Sequence, residues 1–330
     1  GQGVRSAAVG LVLVACEHAP SALDPHGPQA AQLAWLGWFM FAVATAIFVL
    51  VMALLLYGLF RRRRTLAQPA AAGGGDTGAR WVVIGGIAMP VVVLVVVLGL
   101  IIRAMPALSA PSTPANLTVE VIGYQYWWEV RYPQHGIVTA NEIQIPVGQT
   151  VEFKLTSVDV IHSFWVPQLQ GKMDLIPGKT NTVWLQADEP GVYRGQCAEF
   201  CGLQHAQMAL LVIAQPPEQF AAWADAQRRP AVQSTDSLVQ RGAQVFAREG
   251  CITCHAIRTG AGRVGGQLGP DLTHLASRRT IGAGTLDNNR GNLGGWVSNA
   301  QALKPGNKMP PQPMDGESLQ ALLAYLESLE

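Results

Sequence analysis

One short segment of this chain concentrates side chains that bind soft metal ions. Residues 197–208 contain two thiols, one imidazole and one thioether, and a further imidazole lies far upstream. Thiolates, imidazoles and a thioether suit copper better than any hard cation. Since a blue-copper site needs a single Cys, the second thiol indicates two sulfurs that bridge a pair of copper ions, each with one imidazole. The expected ligands are Cys197, Cys201, His205, Met208 and His162.

A zinc site is the alternative interpretation of this segment. Cys197, Cys201 and His205 could hold zinc, but a zinc site would not require the thioether of Met208. We therefore expect a dinuclear copper centre that transfers electrons.

A second motif, Cys251-Ile252-Thr253-Cys254-His255, predicts a covalently bound haem c. Each thiol can bond to a haem vinyl group, and the adjacent imidazole is placed to ligate the iron. Zinc or a dithiol redox pair would not explain the histidine directly after the second thiol. Because four of the five cysteines serve the two motifs, no disulfide is expected.

Composition and hydropathy point to a membrane-anchored protein. Of the 330 residues, 49% are hydrophobic and 14% are charged, and the formal net charge of +1 argues against nucleic acid as a partner. Two uninterrupted apolar runs, 33–60 and 81–102, are each long enough to span a bilayer as a helix, and Pro90 is expected to bend the second. Neither run contains a His to bind haem or copper, or a carboxylate for a proton relay, so we expect them to be anchors.

The arginines near these runs predict their orientation. Arg61 to Arg64 follow the first run and Arg80 precedes the second, whereas only Arg103 follows the second. The loop 61–80 is therefore expected on the cytoplasmic side. Everything after Arg103 then lies on the periplasmic or outer side of a bacterial inner membrane.

The N-terminal segment, 1–16, has the pattern of an export signal. Arg5 precedes an apolar stretch that ends in a Leu-Val-Ala sequence before Cys16. Small and aliphatic residues before a lone cysteine are typical of a bacterial lipoprotein processing site, so cleavage would leave a lipid on Cys16. An ordinary signal sequence with an incidental cysteine is the alternative.

The chain after the second apolar run divides into two predicted domains. Short β segments separated by Pro and Gly turns indicate a sandwich or barrel over 115–215. Residues 216–235 form a connector with some helical character, and 236–330 are expected to be helical at both ends. The clearest strand segments are 117–121, 142–145, 150–155 and 182–185.

With its two apolar runs and its copper segment, the chain resembles subunit II of cytochrome c oxidase. The resemblance implies a cupredoxin-like barrel that holds the dinuclear CuA centre. It implies that Cys197 and Cys201 are the bridging thiolates and that Met208 is an axial ligand. The terminal imidazoles would be those of His162 and His205.

The same resemblance gives roles to Glu199 and to an aromatic segment. The backbone carbonyl of Glu199 would be the other axial copper ligand, and its carboxylate would face a magnesium site shared with subunit I. The rings of Tyr126, Trp127 and Trp128 match the segment where electrons enter the copper centre. Tyr126 stands where the family usually has a tryptophan, which disfavours direct transfer from an external donor. The alternative role of these rings is to cap the barrel core.

The final residues, 236–330, resemble a class I cytochrome c, an all-α fold. The resemblance implies that the carbonyl of Pro270 orients the proximal ligand His255. Met309, in a Met-Pro-Pro sequence, is implied as the sixth iron ligand, and Met314 is the competitor.

Together these parts resemble subunit II of a caa-type oxidase, in which a cytochrome c domain is fused to the CuA domain. This implies electron flow from haem c to the copper pair and on to haem a of subunit I, where oxygen is reduced to water with proton translocation. Subunits I and III and a periplasmic donor such as cytochrome c are the implied partners. The connector 216–235 would hold the fused haem at a high effective concentration, so we expect it to be the main donor.

Three other functions share part of this pattern. A quinol oxidase subunit II has the fold but normally lacks the copper ligands. The electron-accepting subunit of a CuA-containing nitric oxide reductase would keep them, and a gas-consumption assay would separate it. A stand-alone membrane-tethered electron carrier is the third, and purification as a single subunit would favour it.

Overall fold

The computed structural model describes residues 20–65, 75–109 and 115–330. The predicted lipidation site Cys16 and residues 66–74 of the predicted cytoplasmic loop lie outside these residues. The described chain divides into two compact units. One contains the apolar helices, and the other contains the short segment before them together with everything from residue 115 onward.

The predicted pair of apolar helices is confirmed. Helix α1 is Pro28–Thr65, and helices α2, Gly75–Val83, and α3, Met89–Ser109, are continuous through a π-helical turn at Ile84–Ala88. Stretches of 34 and 29 residues have a mean hydropathy of 2.8, and their most apolar parts are not buried by the protein. Such helices are long enough to cross a bilayer, and lipid or partner helices would cover their side chains.

Residues 117–215 form a β domain of two packed sheets, as the cupredoxin-like prediction requires. The strands are β1 Leu117–Tyr124, β2 Trp127–Tyr132, β3 Ile137–Ala140, β4 Glu142–Pro146, β5 Val151–Ser157, β6 His162–Trp165, β7 Met173–Leu175, β8 Asn181–Leu185, β9 Gly191–Cys197 and β10 Ala209–Gln215. One five-stranded sheet has the order β3-β2-β1-β5-β8 and the other β4-β10-β9-β6-β7. The pairs β1–β5 and β4–β10 are parallel, whereas the remaining pairs are antiparallel.

The core of the β domain follows from alternation along its strands. In β1 the side chains of Val119 and Val121 are fully buried, and in β5 those of Phe153 and Leu155 are. Every second residue therefore faces the opposite sheet, as the period of a strand requires. Burying such a side chain contributes about 1.5–3 kcal/mol, so this double layer is a rigid support for side chains at its edge.

Residues 236–330 form a helical domain, which confirms the predicted fold class, with short hairpins added. Asp236 and Asp315 cap the helices α5, Ser237–Arg248, and α8, Gly316–Glu327, by accepting backbone N–H hydrogen bonds. The two helices cross closely at Gly242, where a Cβ atom would overlap the carbonyl of Ala321. The elements are α5 Ser237–Arg248, α6 Cys251–Cys254, β11 Ala256–Thr259, β12 Gly262–Gly265, β13 Thr280–Ile281, β14 Leu286–Asp287, α7 Arg290–Leu303 and α8 Gly316–Glu327.

The segment expected to connect the two domains is itself packed against both. Helix α4, Pro217–Gln227, buries Phe220 and Ala224 in the core of the β domain. Ala231 belongs to the core of the helical domain, and its N–H donates to Arg258 O at 2.8 Å. The connector is therefore anchored on both sides, with residues 228–230 between the two anchor points.

Candidate copper and haem sites

The predicted copper ligands converge at one end of the β domain. Strand β6 begins with His162 and strand β9 ends with Cys197, and the loop to β10 supplies the others. The Sγ atoms of Cys197 and Cys201 are 3.8 Å apart. His162 Nδ1 lies 3.9 Å from Cys197 Sγ, and His205 Nδ1 lies 3.8 Å from Cys201 Sγ. Each sulfur thus has one imidazole beside it.

The two predicted axial groups lie against different sulfurs. Met208 Sδ is 3.8 Å from Cys201 Sγ, and the carbonyl oxygen of Glu199 is 3.2 Å from Cys197 Sγ. A metal–thiolate bond of about 2.3 Å lets two sulfurs up to about 4.6 Å apart share one ion. The 3.8 Å separation therefore permits both sulfurs to bridge the same ions. The donor set fits a pair of soft cations.

The surroundings shift the pKa values of the two thiols in opposite directions. Hydrogen bonds from Cys201 and His162 lower the pKa of Cys197 to about 3, although burial opposes the shift. The resulting thiolate and burial raise the pKa of Cys201. Burial alone would lower the pKa of His162, but its contacts with Cys197 and the Asp159 carboxylate raise it overall. Without metal the site retains protons that binding of two cations would release.

Asp159 orients the imidazole of His162. Its Oδ1 lies 2.9 Å from His162 Nε2, which leaves Nδ1 directed to the sulfurs. Its Oδ2 accepts a hydrogen bond of 2.8 Å from the backbone N–H of Gln125 and lies 3.5 Å from Lys308 Nζ. Burial would raise the pKa of Asp159, but the hydrogen bonds from His162 and the backbone lower it. Carboxylates in this position fix the tautomer and direction of metal-binding histidines.

The aromatic segment contacts the copper loop at several points. Tyr126 Oη accepts a hydrogen bond of 3.1 Å from Leu203 N–H, and Gln125 Nε2 donates to Cys201 O at 2.6 Å. Trp128 is fully buried, with its ring centroid 5.9 Å from that of His162. Tyr126 and Trp127 face the helical domain, whereas Trp128 lies inside the β domain.

A cavity of about 520 Å³ opens beside the second motif. Cys251, Cys254, His255 and Met309 all line it. His255 Nδ1 lies 2.8 Å from the carbonyl oxygen of Pro270, so Nδ1 carries the proton and Nε2 keeps the lone pair that a metal needs. Burial lowers the pKa of His255 and favours this neutral form.

The cavity fits a haem in shape and in charge. A Cβ atom on Gly269 would lie 2.6 Å from His255 Cε1, so the glycine leaves room for the imidazole. Arg278 lines the cavity with a buried guanidinium whose Nε has no partner among the described residues. Its Nη2 donates to the carbonyl oxygen of Asp271, so Nε is a remaining donor that suits a carboxylate of haem. Met314 is packed against the hydrophobic core of the helical domain instead.

The haem cavity and the copper domain share a wall. Tyr124, Gln125, Tyr126 and Trp127 of the β domain line the same cavity as the Cys-Cys-His motif of the helical domain. The aromatic segment therefore separates the cavity from the copper loop. Two sites that are far apart in the sequence are neighbours in the structure.

Glu199 presents two groups in different directions. Its carbonyl oxygen faces Cys197 Sγ, whereas its half-exposed carboxylate lies 3.8 Å from Lys172 Nζ. The carboxylate is thus at the surface of the described unit, where a partner could approach it.

Sequence reasoning missed Asp159, Arg278, Lys304 and Lys308. Asp159 carried a usable signal, because an acid three residues before a metal-binding His is placed to orient it. The two lysines are the only ones in 236–330, and both reach the β domain in the structure. Their partners in the β domain are more than ninety residues away, so no local pattern could reveal these contacts.

Comparisons with known proteins agree with this arrangement. The family "cytochrome C oxidase subunit II, periplasmic domain" matches residues 136–215, and the family "cytochrome c" matches residues 239–330. Cytochrome c oxidase subunit 2 of Alkalihalophilus pseudofirmus is 37% identical over 335 residues, which cover 97% of this chain and 94% of that protein. The subunit 2 of Bacillus sp. strain PS3 is 37% identical over 227 residues, which cover 65% of this chain and 63% of that protein.

Among solved structures, the periplasmic domain of subunit II of cytochrome oxidase from Bradyrhizobium japonicum is similar. It is 30% identical with a TM-score of 0.34, and the match covers 35% of this chain and 96% of that one.

The relative from A. pseudofirmus spans almost the whole chain, and the two family matches fall on the β domain and the helical domain in that order. The chain therefore belongs to the cytochrome c oxidase subunit II family and carries a cytochrome c domain at its C-terminal end.

Proposed function

We propose that this chain receives electrons at its helical domain and passes them through its β domain to the oxygen-reducing subunit I. One-electron transfer is the chemistry that a bound haem c and a copper pair would supply. The helical domain would hold the haem through Cys251, Cys254, His255 and Met309. The β domain would hold the coppers through the side chains of His162, Cys197, Cys201, His205 and Met208 and the carbonyl of Glu199.

One observation carries this proposal: the haem cavity is walled by the segment that contacts the copper loop. Tyr126 lines the cavity and also accepts a hydrogen bond from Leu203 of that loop. Gln125 lines it too and donates to the carbonyl of Cys201. Direct hydrogen bonds thus link the wall of the cavity to the copper loop and to the backbone of a proposed copper ligand. Tyr126 and Trp127 would form the contact between the sites, while Trp128 would support His162.

Several finer features belong to the same proposal. The two apolar helices would anchor the chain in the bacterial inner membrane, with both redox domains on the periplasmic side. Subunit III would complete the complex, and proton translocation would accompany oxygen reduction in it. The exposed Glu199 carboxylate would face subunit I and share a magnesium ion with it. Cys16 would carry a lipid after cleavage of the export signal.

The test is stopped-flow reduction of the purified oxidase by its physiological donor. Haem c should be reduced first, and copper should follow at a rate independent of donor concentration. The matched pair Met309→Ala and Met314→Ala locates the distal ligand, since only the first should remove the sulfur–iron absorption band of oxidised haem c. Copper reduced before haem c would contradict the proposed route, and a band lost only in Met314→Ala would contradict the ligand assignment.

A further inference from the structure

Lys304 is a buried lysine between the two redox domains. It follows helix α7 in the helical domain, and only 1% of it is exposed. Its Nζ lies 2.8 Å from the carbonyl oxygens of Gln207 and Gly282, and 3.4 Å from that of Tyr126. An ammonium has three N–H donors, so this arrangement uses all of them.

The three carbonyls belong to three functionally distinct segments. Gln207 lies in the copper loop between His205 and Met208, and Tyr126 lies in the aromatic segment that walls the haem cavity. Gly282 lies in a turn of the helical domain and also lines the cavity. One cation therefore joins the copper loop, the aromatic segment and the haem cavity.

A second buried charge makes the opposite contact. Glu142 of the β domain is 5% exposed, and its Oε1 accepts hydrogen bonds of 2.8 Å from the N–H groups of Arg279 and Thr280. A backbone hydrogen bond also joins the two domains, in which Ala209 N–H donates to Ala283 O at 3.0 Å. The helical domain thus inserts a cation among β-domain carbonyls, and the β domain inserts an anion among helical-domain N–H groups. Because these hydrogen bonds are directional, they fix one position of the helical domain against the β domain, which we call the docking register.

We propose that Lys304 is a positioning residue for electron transfer, which holds the helical domain against the copper loop in one register. The inference rests on the proposed route from haem to copper. The helical domain is then a docked donor and not one held only by a connector, because the anchored connector and the two buried charges keep the haem cavity in place.

If Lys304 fixes the position of the helical domain, its loss should change the rate of electron transfer. If it only stabilised the fold, its loss should change the melting temperature alone. Removing a donor leaves its buried acceptors unsatisfied, and that cost falls if the domains move enough for water to reach the carbonyls. Lys304→Met has a similar length and no charge, but it leaves three carbonyls without their donor. The domains can then shift without unfolding. Electron-transfer rates fall steeply with separation, so the rate responds to a shift that a melting temperature does not report.

The experiment compares the wild-type oxidase complex with Lys304→Met, Lys304→Arg and the control Lys154→Met. Lys154 is half-exposed on the β domain and pairs with Glu152 at 3.9 Å. We expect copper and haem c spectra of Lys304→Met to match the wild type, while transfer from haem c to copper slows about tenfold, equivalent to about 1.4 kcal/mol in the barrier. The Ala209 amide should exchange faster, since its acceptor Ala283 belongs to the other domain. Lys154→Met should behave as wild type in every readout.

Lys304→Arg retains the charge but places its donors differently, and we expect it to slow transfer less than Lys304→Met does. If Lys304→Met lost either spectrum, Lys304→Arg would decide the matter, and faster exchange of the Ala209 amide with a wild-type transfer rate in it would overturn the proposal. Wild-type transfer and exchange in Lys304→Met would overturn it too. Absence of transfer from haem c to copper in the wild-type complex would refute the proposed function and, with it, the role of Lys304.

Discussion

The copper site and the haem site are supported in different ways. The proposed copper ligands His162, Cys197 and Cys201 are buried at the end of a two-sheet domain, with all their ligand atoms within 4.8 Å of one another. The proposed haem ligands instead surround a cavity of about 520 Å³ whose walls come from two domains. The β domain has a complete hydrophobic core without the copper pair, whereas a haem would complete the core of the helical domain. Loss of haem should therefore destabilise the helical domain, whereas loss of copper should leave the β domain folded.

The largest effect is expected when the haem attachment is removed. In the double variant Cys251→Ser and Cys254→Ser the cavity loses its occupant, and an unfilled apolar cavity costs about 24 cal/mol per Å³ at most. For a cavity of this size the loss approaches the whole stability of a small domain. Hydrogen exchange should show loss of protection in α5 and α8, with the β domain still protected. The haem should no longer remain with the polypeptide in denaturing gels.

The double variant also has an internal control. The exposed pair Thr235→Ala and Ser237→Ala removes two hydroxyls without touching the cavity lining. It should keep both the haem and the protection of α5 and α8. Protected helices in the haem-free variant would show that the helical domain has a complete core of its own, and the comparison between the sites would fail.

Removing one bridging thiolate should abolish the copper centre and leave the fold intact. Cys197→Ser takes away the sulfur that faces both His162 and the Glu199 carbonyl. The electron paramagnetic resonance signal of an electron shared between two coppers should disappear, while protection of the strands stays as in the wild type. Met208→Leu is the matched control, since axial ligands adjust a copper site more than they hold it. A delocalised signal that persists in Cys197→Ser would refute the bridging role.

The contrast also explains what the sequence could predict. The Cys-rich segments are local, so their candidate ligands and spacing are visible without a structure, whereas the role of the distant His162 is implied by the resemblance to the subunit II family. Predicted strands such as 117–121 and 182–185 are present because their alternation is strong. Strand β2 was missed because its Trp and Tyr residues are buried on both faces, which hides the period of two.

Contacts between the domains could not be predicted in this way. Lys304 follows a helix and resembles an ordinary solvent-exposed residue in the sequence, yet it is buried by carbonyls from Tyr126 and Gln207. Glu142 likewise begins a strand, where a charged residue is normally exposed. Burial of these charges depends on how two folded domains meet, and that information is spread over both of them.

A smaller effect is expected from the carboxylate behind His162. Asp159→Asn keeps the shape but weakens the hydrogen bond to His162 Nε2, so the imidazole is less firmly directed to the metal. Loss of such a partner typically costs about 10–100-fold in metal affinity. Copper retention by the purified complex against a competing chelator measures this. Exposed Asp188→Asn is the control, and equal copper retention in the two variants would show that Asp159 does not orient the ligand.

The smallest effect concerns the pH dependence of the domain contact. Burial raises the pKa of Glu142 above 4.5, even though hydrogen bonds from Thr280 and Arg279 oppose the shift. The native state therefore binds this proton more tightly than the unfolded state. The stability that Glu142 contributes is complete below pH 4.5 and is lost as the pH rises through the raised value.

Glu142→Gln should remove this pH dependence, because the amide keeps an oxygen acceptor for both N–H groups without a buried charge. At neutral pH we expect the melting temperature of the helical domain, followed by haem c absorption in the intact complex, to rise by about a few degrees at most. At pH 4.5 the variant and the wild type should melt together. Exposed Glu189→Gln should show no such difference between the two conditions. A melting temperature that falls at neutral pH would mean that the ionised carboxylate stabilises the contact between the domains. The two buried charges would then hold the domains together by electrostatic attraction as well as by directional hydrogen bonds.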